Sequence, residues 1–243
     1  MADADARIVL LAGASGLTGA RTLDALLEAP DIARVIAVSR RPLQREHSRL
    51  ANRIVKFDGI EAQLKGVSCE AALCCLGTTR RQAGSQDAFR AVDVEAVAAF
   101  ARAAKAAGAR RFVVISAVGA SPTSRNFYLR TKGEMEEELE GIGFESLDIL
   151  QPSLLLGWRA EMRPLELLAI AVMPLVNPLL GGKYAPYRAI SARTIGAAML
   201  GALRSGRRGV QRYTHDGIQA LSRLTAPRAR TAATAKAPAA RAR

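Results

Sequence analysis

The apolar run Ile8-Val9-Leu10-Leu11-Ala12 leads into Gly13-Ala14-Ser15-Gly16-Leu17-Thr18-Gly19, and then into Ala20-Arg21-Thr22-Leu23-Asp24-Ala25-Leu26-Leu27. The leucines of the last segment recur at helical spacing. An unbroken apolar run of this kind predicts a strand with no water on either face. Strand, glycine turn and helix together predict a nucleotide-binding crossover. Glycines let the backbone turn tightly and approach a pyrophosphate, and the helix N-terminus offers free N–H groups at the positive end of its dipole. Gly13, Ser15, Gly16 and Gly19 are therefore candidate phosphate-binding residues. A purely structural glycine turn is the alternative, and the strand–turn–helix context weighs against it.

The same rhythm continues along the chain. Residues 35–38, 54–57, 71–76, 111–115 and 146–150 read as further strands, and residues 92–107 and 128–139 as helices, the first of them ending at Gly108. Strands alternating with helices at this spacing predict an α/β fold, a doubly wound Rossmann-type parallel sheet covered on both faces. A length of 243 residues suits one such domain. Residues 1–221 are thus expected to form a single NAD(P)-binding domain. After Pro152 the rhythm breaks, so residues 151–209 are expected to be substrate-side insertions before a last strand at 210–214.

The net charge is +13, and residues 222–243 form a basic, low-complexity tail expected to be disordered. That tail holds Arg223, Arg228, Arg230, Lys236, Arg241 and Arg243 and no acid, which leaves +7 for the remainder. It reads as a solvated end rather than a nucleic-acid-binding element. Cys69, Cys74 and Cys75 lack zinc-site spacing and read as small buried hydrophobes, so no metal is expected. Residues 165–180 are interrupted by Glu166, Pro174, Asn177 and Pro178, so no membrane span is expected. They read as a helix and loop over the substrate site rather than as a membrane contact. The acidic start Met1-Ala2-Asp3-Ala4-Asp5 lacks a signal peptide's layout, and the expected location is cytoplasmic. The oligomeric state is left open.

The cofactor is read at the end of the second strand. NAD sites usually place an acid there for the ribose diol, whereas this chain has Ser39 followed by Arg40 and Arg41. Guanidinium groups pair bidentately with a 2′-phosphate, which predicts NADP(H). A solvated turn before Pro42 is the alternative. Asp58 is a candidate acceptor for the adenine amino group, or simply the first residue of an Asp-Gly turn. Farther along, Ser116 ends the fifth strand, and Tyr128 and Lys132 stand four apart on a helix, on one face. A tyrosine with a reference pKa near 10 becomes an acid–base catalyst when a close cation favours its anion. Lys132 can supply that cation and reach a nicotinamide ribose. Ser116 can hydrogen-bond a substrate oxygen, and Tyr128 can donate a proton to it during reduction.

The glycine pattern, Ser116 and the Tyr128-x-x-x-Lys132 pair resemble an atypical short-chain dehydrogenase/reductase. Residues 75–80, 116–120, 126–134 and 156–164 are similar to its Tat-interacting-protein-like branch, over about residues 7–221. The resemblance implies that Leu17 and Thr18 belong to the phosphate turn, and that Leu76, Gly77 and Thr78 line the cofactor. It also implies that Pro152 and Ser153 lie near the nicotinamide, with Gln151 where the family often has arginine. The expected function is an NADP(H)-dependent reductase of a small carbonyl substrate. Arg159, Arg163, Tyr184, Tyr187 and Arg188 are candidates to shape its pocket. The alternative is a non-catalytic NADPH-binding sensor that acts through a protein partner.

Overall fold

A computed structural model describes residues 6–56, 58–153, 155–156 and 182–224. Seven strands form one parallel sheet in the order β3-β2-β1-β4-β5-β6-β9. They are β1 (Arg7–Ala12), β2 (Ile32–Ser39), β3 (Leu50–Ile54), β4 (Ala71–Cys74), β5 (Arg111–Ile115), β6 (Ser146–Leu150) and β9 (Gly209–Tyr213). A separate two-stranded ladder pairs β7 (Leu155–Leu156) with β8 (Ile190–Ser191). The order reverses direction between β1 and β4, the point at which open α/β sheets leave a crevice beyond their carboxyl ends.

The apolar run of β1 is explained by its two neighbours in depth. Val9 and Leu11 point into one hydrophobic layer, Leu10 and Ala12 into the other, and all are fully buried. The first layer is packed by α1 (Leu17–Glu28), α7 (Ala192–Arg204) and α8 (His215–Ser222), through Leu23, Leu26, Ile195, Met199 and Ile218. The second is packed by α2 (Ile60–Gln63), α5 (Val97–Ala106) and α6 (Phe127–Ile142), through Ile60, Phe100, Met135 and Leu139. Each such side chain contributes about 1.5–3 kcal/mol on leaving water. This is the doubly wound arrangement expected from the alternation.

Several boundaries differ from the periodicity; β2, for one, begins at Ile32 and not at residue 35. The third strand is β3, ending at Ile54, rather than residues 54–57. It lies at the sheet edge, where Asn52 and Arg53 are exposed, so its apolar signal is broken and the run beginning at Ile54 marks only its end. The helix read at 92–107 begins earlier, as α4 (Gln86–Arg90), and reaches α5 through a π-helical segment, Ala91–Ala96. Within the stretch 151–209, α7 belongs to the core: a Cβ on Gly196 would come within 2.6 Å of the Arg21 carbonyl carbon, so α7 lies directly on α1. Residues 157–181 and 225–243 lie outside the described residues. With them go Arg159, Arg163, the apolar segment 165–180 and most of the basic tail. Among the described residues, no helix is long and apolar enough to cross a membrane, and no cluster of histidine, cysteine and carboxylate groups suits a metal.

A candidate dinucleotide cleft and its catalytic face

The glycine turn is held together by close backbone packing. Gly13 has φ +80°, and a Cβ there would lie 2.5 Å from the Cys75 carbonyl oxygen, so the turn presses against the end of β4. At Gly19 a Cβ would fall 1.9 Å from the Gly13 oxygen, which lets the first turn of α1 pack onto the glycine turn. Gly16 donates its N–H to Gly13 O at 3.0 Å, and as N-cap it offers no side chain to the first N–H groups of α1. Those groups remain available to an anion. Leu17 and Thr18 open α1, with Thr18 buried and aimed inward rather than at solvent.

A cavity of about 800 Å3 lies along the carboxyl ends of β1, β2 and β4 and is closed by the π-helical segment. Gly13, Ser15, Gly16, Ser39, Arg40, Arg41, Asp58, Leu76 and Gly77 all line it. Such a volume suits a dinucleotide-sized ligand in the range of ordinary ligand clefts. Ser39 lines the cavity and also shapes the turn: its hydroxyl donates to Arg41 O at 2.7 Å and accepts from Asn52 Nδ2 at 2.8 Å. Asn52 also accepts the Leu43 N–H at 2.9 Å, so this edge-strand side chain sets the course of the loop. Nothing in the sequence pattern singles Asn52 out. Arg40 and Arg41 are exposed and, among the described residues, their guanidinium groups make no hydrogen bond or ion pair. Nearby Arg45 pairs with Asp24, and Arg49 holds Ala29 O and Ile32 O at 2.7 and 2.8 Å. The carboxylate of Asp58 is exposed, while its carbonyl accepts from Gln63 Nε2 at 3.1 Å.

The catalytic candidates stand on α6. Asn126 caps it, accepting the Leu129 N–H at 3.2 Å, and a Cβ on Gly133 would lie 2.2 Å from Ser121 C, so the helix abuts the loop after β5. Tyr128 is partly exposed, with its ring against Phe89 at 6.0 Å. Lys132 is buried, and its Nζ lies 2.6 Å from Asp93 Oδ1 in the π-helical segment. Asp93 Oδ2 accepts the Thr78 N–H at 2.8 Å. Burial works against the Lys132 charge, but the Asp93 carboxylate and the Tyr128 hydroxyl outweigh it and raise its pKa above the ordinary lysine value. A Cβ on Gly77 would lie 3.6 Å from Asp93 Oδ1 and 4.0 Å from Lys132 Nζ, so this pair stands behind the cleft wall. Gly77, Thr78 and Lys132 are thus drawn together by Asp93, a residue the sequence pattern did not mark. Its signal was an acid set between Val92 and Val94, and it lies in the π-helical segment.

Ser116 directly follows the carboxyl end of β5. It is only 3% exposed, and its Oγ donates to Glu136 Oε1 at 2.5 Å. Glu136, two helical turns after Tyr128, also accepts from Gln151 Nε2 at 2.8 Å and from Arg212 Nε at 2.9 Å. With its one proton committed to a buried carboxylate, Ser116 cannot donate to a substrate oxygen without leaving Glu136. Gln151 and the Arg212 guanidinium of β9 thus share the Glu136 carboxylate. Pro152 accepts the Val118 N–H through its carbonyl at 3.0 Å, and Ser153 Oγ donates to Tyr187 O at 3.0 Å. Tyr187 is exposed, Arg188 Nε is buried with no hydrogen-bond partner, and the side chain of Tyr184 lies outside the described residues.

Residues 13–156 match the NAD(P)H-binding family. Protein HTATIP2 of Rattus norvegicus is 37% identical over 165 residues, covering 66% of this chain and 68% of that protein. "Protein fmp52, mitochondrial" of Aspergillus clavatus is 37% identical over 165 residues, covering 65% and 70%. Among solved structures, MoeE5 in complex with UDP-glucose and NAD superposes with a TM-score of 0.62 at 17% identity, covering 89% of this chain and 80% of that one. The Bordetella bronchiseptica enzyme WbmG in complex with NAD gives 0.63 at 13%, covering 93% and 79%. At these identities the structures establish the fold, and the family match establishes a nicotinamide dinucleotide as the cofactor class. The fungal relatives overturn the cytoplasmic expectation, since their names place them in mitochondria. The glycine-turn crossover, the parallel sheet and these relatives agree: the chain belongs to the NAD(P)H-binding Rossmann-fold family, in the branch that contains HTATIP2 and fmp52.

Proposed function

We propose that this chain is an NADP(H)-dependent oxidoreductase of the short-chain dehydrogenase/reductase type acting on a small carbonyl compound. The reading takes residues 1–221 as one cofactor-binding domain. The observation that carries it is the buried Lys132, which stands behind the Gly77 wall of the cleft and interacts electrostatically with Tyr128, one helical turn away. When bound, the cofactor supplies the hydride. Gly13, Gly16 and the open N-terminus of α1 hold its pyrophosphate, with Ser15, Leu17 and Thr18 around them. Arg40 and Arg41, which make no side-chain hydrogen bond or ion pair among the described residues, hold the 2′-phosphate on a turn that Ser39 and Asn52 keep in place. Asp58 stands at the adenine end, and Leu76, Gly77, Thr78, Pro152 and Ser153 follow the cofactor toward its reactive ring. Tyr128 donates its phenolic proton to the carbonyl oxygen. The Lys132 ammonium favours the phenolate left behind, and Asp93 keeps that ammonium charged and in place. Ser116, tied to Glu136, fixes the floor of the site rather than acting as a donor.

The test is a side-by-side titration of the protein with NADPH and NADH by fluorescence. NADPH is expected to bind at least about tenfold more tightly, and Arg40→Ala with Arg41→Ala to remove that preference while leaving NADH affinity unchanged. Equal binding of the two by the unaltered protein refutes the NADP(H) assignment. A second reading draws on the commitment of Ser116 to Glu136 and of Lys132 to Asp93: a sensor that binds NADPH and signals to a protein partner. Tyr128→Phe separates the two, because it abolishes turnover and spares NADPH binding in the enzyme. A physiological activity that survives this change intact belongs to the sensor.

A further inference from the structure

The opposite edge of the sheet, where β1, β4, β5 and β6 begin, holds a second cavity of about 410 Å3. Its charged lining is Arg7, Arg110, Arg111 and Arg208 against Glu70 and Glu145, an excess of two positive charges. Helices of this fold run against the strands, so their C-termini reach this edge and attract cations. Part of the chain's basic character answers that need: Lys105 Nζ bonds Ile142 O at 3.2 Å, and Arg111 Nη1 bonds Leu203 O at 3.3 Å.

The remaining cavity arginines answer no such need. Among the described residues, the side chains of Arg110 and Arg208 make no hydrogen bond or ion pair. Among the described residues, Arg7 Nη1 is buried without a hydrogen-bond partner; the carboxylate it pairs with, Asp31, is 3.7 Å away and is already held by Arg204 Nε at 3.0 Å and by Arg204 Nη2. Glu70 is engaged elsewhere, accepting the Ile8 N–H at 2.6 Å. The cluster also repels itself: burial first, and then the charges of Arg7 and Arg208, lower the pKa of Arg111, against the pull of Asp148 and Glu145. Guanidinium groups that line one cavity, two of them exposed and one with a buried N–H lacking an acceptor among the described residues, suit the forked geometry of a phosphoryl oxyanion.

We propose that this cavity binds a phosphate dianion or the phosphate of a phosphomonoester, at a site separate from the dinucleotide cleft. Two guanidinium groups in excess balance a doubly charged ligand, and Arg7 Nη1 finds the acceptor it lacks. The ligand comes either from a soluble ester or from a lipid headgroup of the same chemistry.

The full chain is titrated calorimetrically with inorganic phosphate at low ionic strength in saturating NADPH, which keeps phosphate out of the cofactor cleft. Using the full chain includes any competition from Asp3 and Asp5, which precede Arg7 in the sequence. Arg110→Gln with Arg208→Gln removes two guanidinium groups that hold nothing else among the described residues, and its unfolding temperature and NADPH affinity serve as controls for folding. Phosphate is expected to bind the unaltered protein, and the double variant to bind it about tenfold or more weakly. No binding to the unaltered protein, or equal binding to the variant, overturns the proposal; the latter would put phosphate elsewhere on this basic chain. Phosphatidylcholine vesicles carrying a minority of phosphatidic acid distinguish the sources. Pelleting that soluble phosphate reverses and the double variant loses assigns the lipid headgroup. Phosphate binding without pelleting assigns the soluble ester.

Discussion

Replacing Asp93 with Asn isolates the pair behind the cleft wall. The substitution keeps the shape and an oxygen for the Thr78 N–H, but it removes the charge 2.6 Å from Lys132 Nζ. The Lys132 side chain is 6% exposed and that of Asp93 1%, so solvent cannot take over the lost interaction. Removing one partner of a buried pair costs about 3–5 kcal/mol, and the retained hydrogen bonds set the expectation at the lower end, about 3 kcal/mol. For a chain of this size each kcal/mol shifts the unfolding midpoint by about 2–4 °C, so a fall of about 6–12 °C is expected in thermal unfolding at pH 7. The pH dependence has a definite sign. The folded-state pKa of Lys132 is raised, so its contribution is complete below the ordinary lysine value of about 10.4 and is lost only as pH rises through the higher folded value. The gap between the unaltered protein and the variant is therefore steady from neutral pH to about 9 and narrows above the lysine range. A midpoint within about 2 °C of the unaltered protein would refute the view that Asp93 holds a desolvated ammonium.

Gly19→Ala places a methyl group 1.9 Å from the Gly13 oxygen and is expected to cost about 1–3 kcal/mol or more in urea unfolding, together with NADPH affinity. A stable variant with full affinity would mean that α1 does not need to lie against the turn. Burial pushes the thiols of Cys69, Cys74 and Cys75 up to about 12, so the native protein should react with iodoacetamide at pH 8 far more slowly than the unfolded chain, as read by mass spectrometry. Ser116→Ala removes a hydrogen bond to a buried carboxylate and should destabilise the fold by about 1.5–3 kcal/mol even without ligands. Unchanged stability with lost turnover would return Ser116 to the role of substrate donor.

The architecture was legible because its cause is one-dimensional. Residues 8–12 are apolar without interruption since each faces one of two packed layers, and Gly13 is glycine since its φ is +80° and β4 leaves no room for a Cβ. Arg111–Ile115 and Ser146–Leu150 are central strands, and their boundaries agree with the pattern for the same reason. Legibility fails where a neighbour distant in sequence decides the outcome. β3 lies at an edge, so half of it is polar and its limits were misplaced; α7 reads as cover for a substrate yet packs into the core because Gly196 lets it approach α1.

The candidate site divides along the same line. Tyr128 and Lys132 share a face because an α-helix returns every 3.6 residues, and Arg40 and Arg41 reach the cleft because they follow a strand directly. Periodicity and adjacency are properties of the chain itself. What Lys132 and Ser116 actually touch is not. Asp93 lies 39 positions before Lys132, in a π-helical segment that packing brings beside it, and Ser116 donates its hydroxyl hydrogen bond to Glu136, 20 positions on, at a hub that Arg212 completes from β9. The sequence determined the fold, the cofactor class and the residues available for chemistry. Tertiary structure decided which of them are engaged, because the free energy of a buried charge depends on the partner that packing brings within a few ångströms of it.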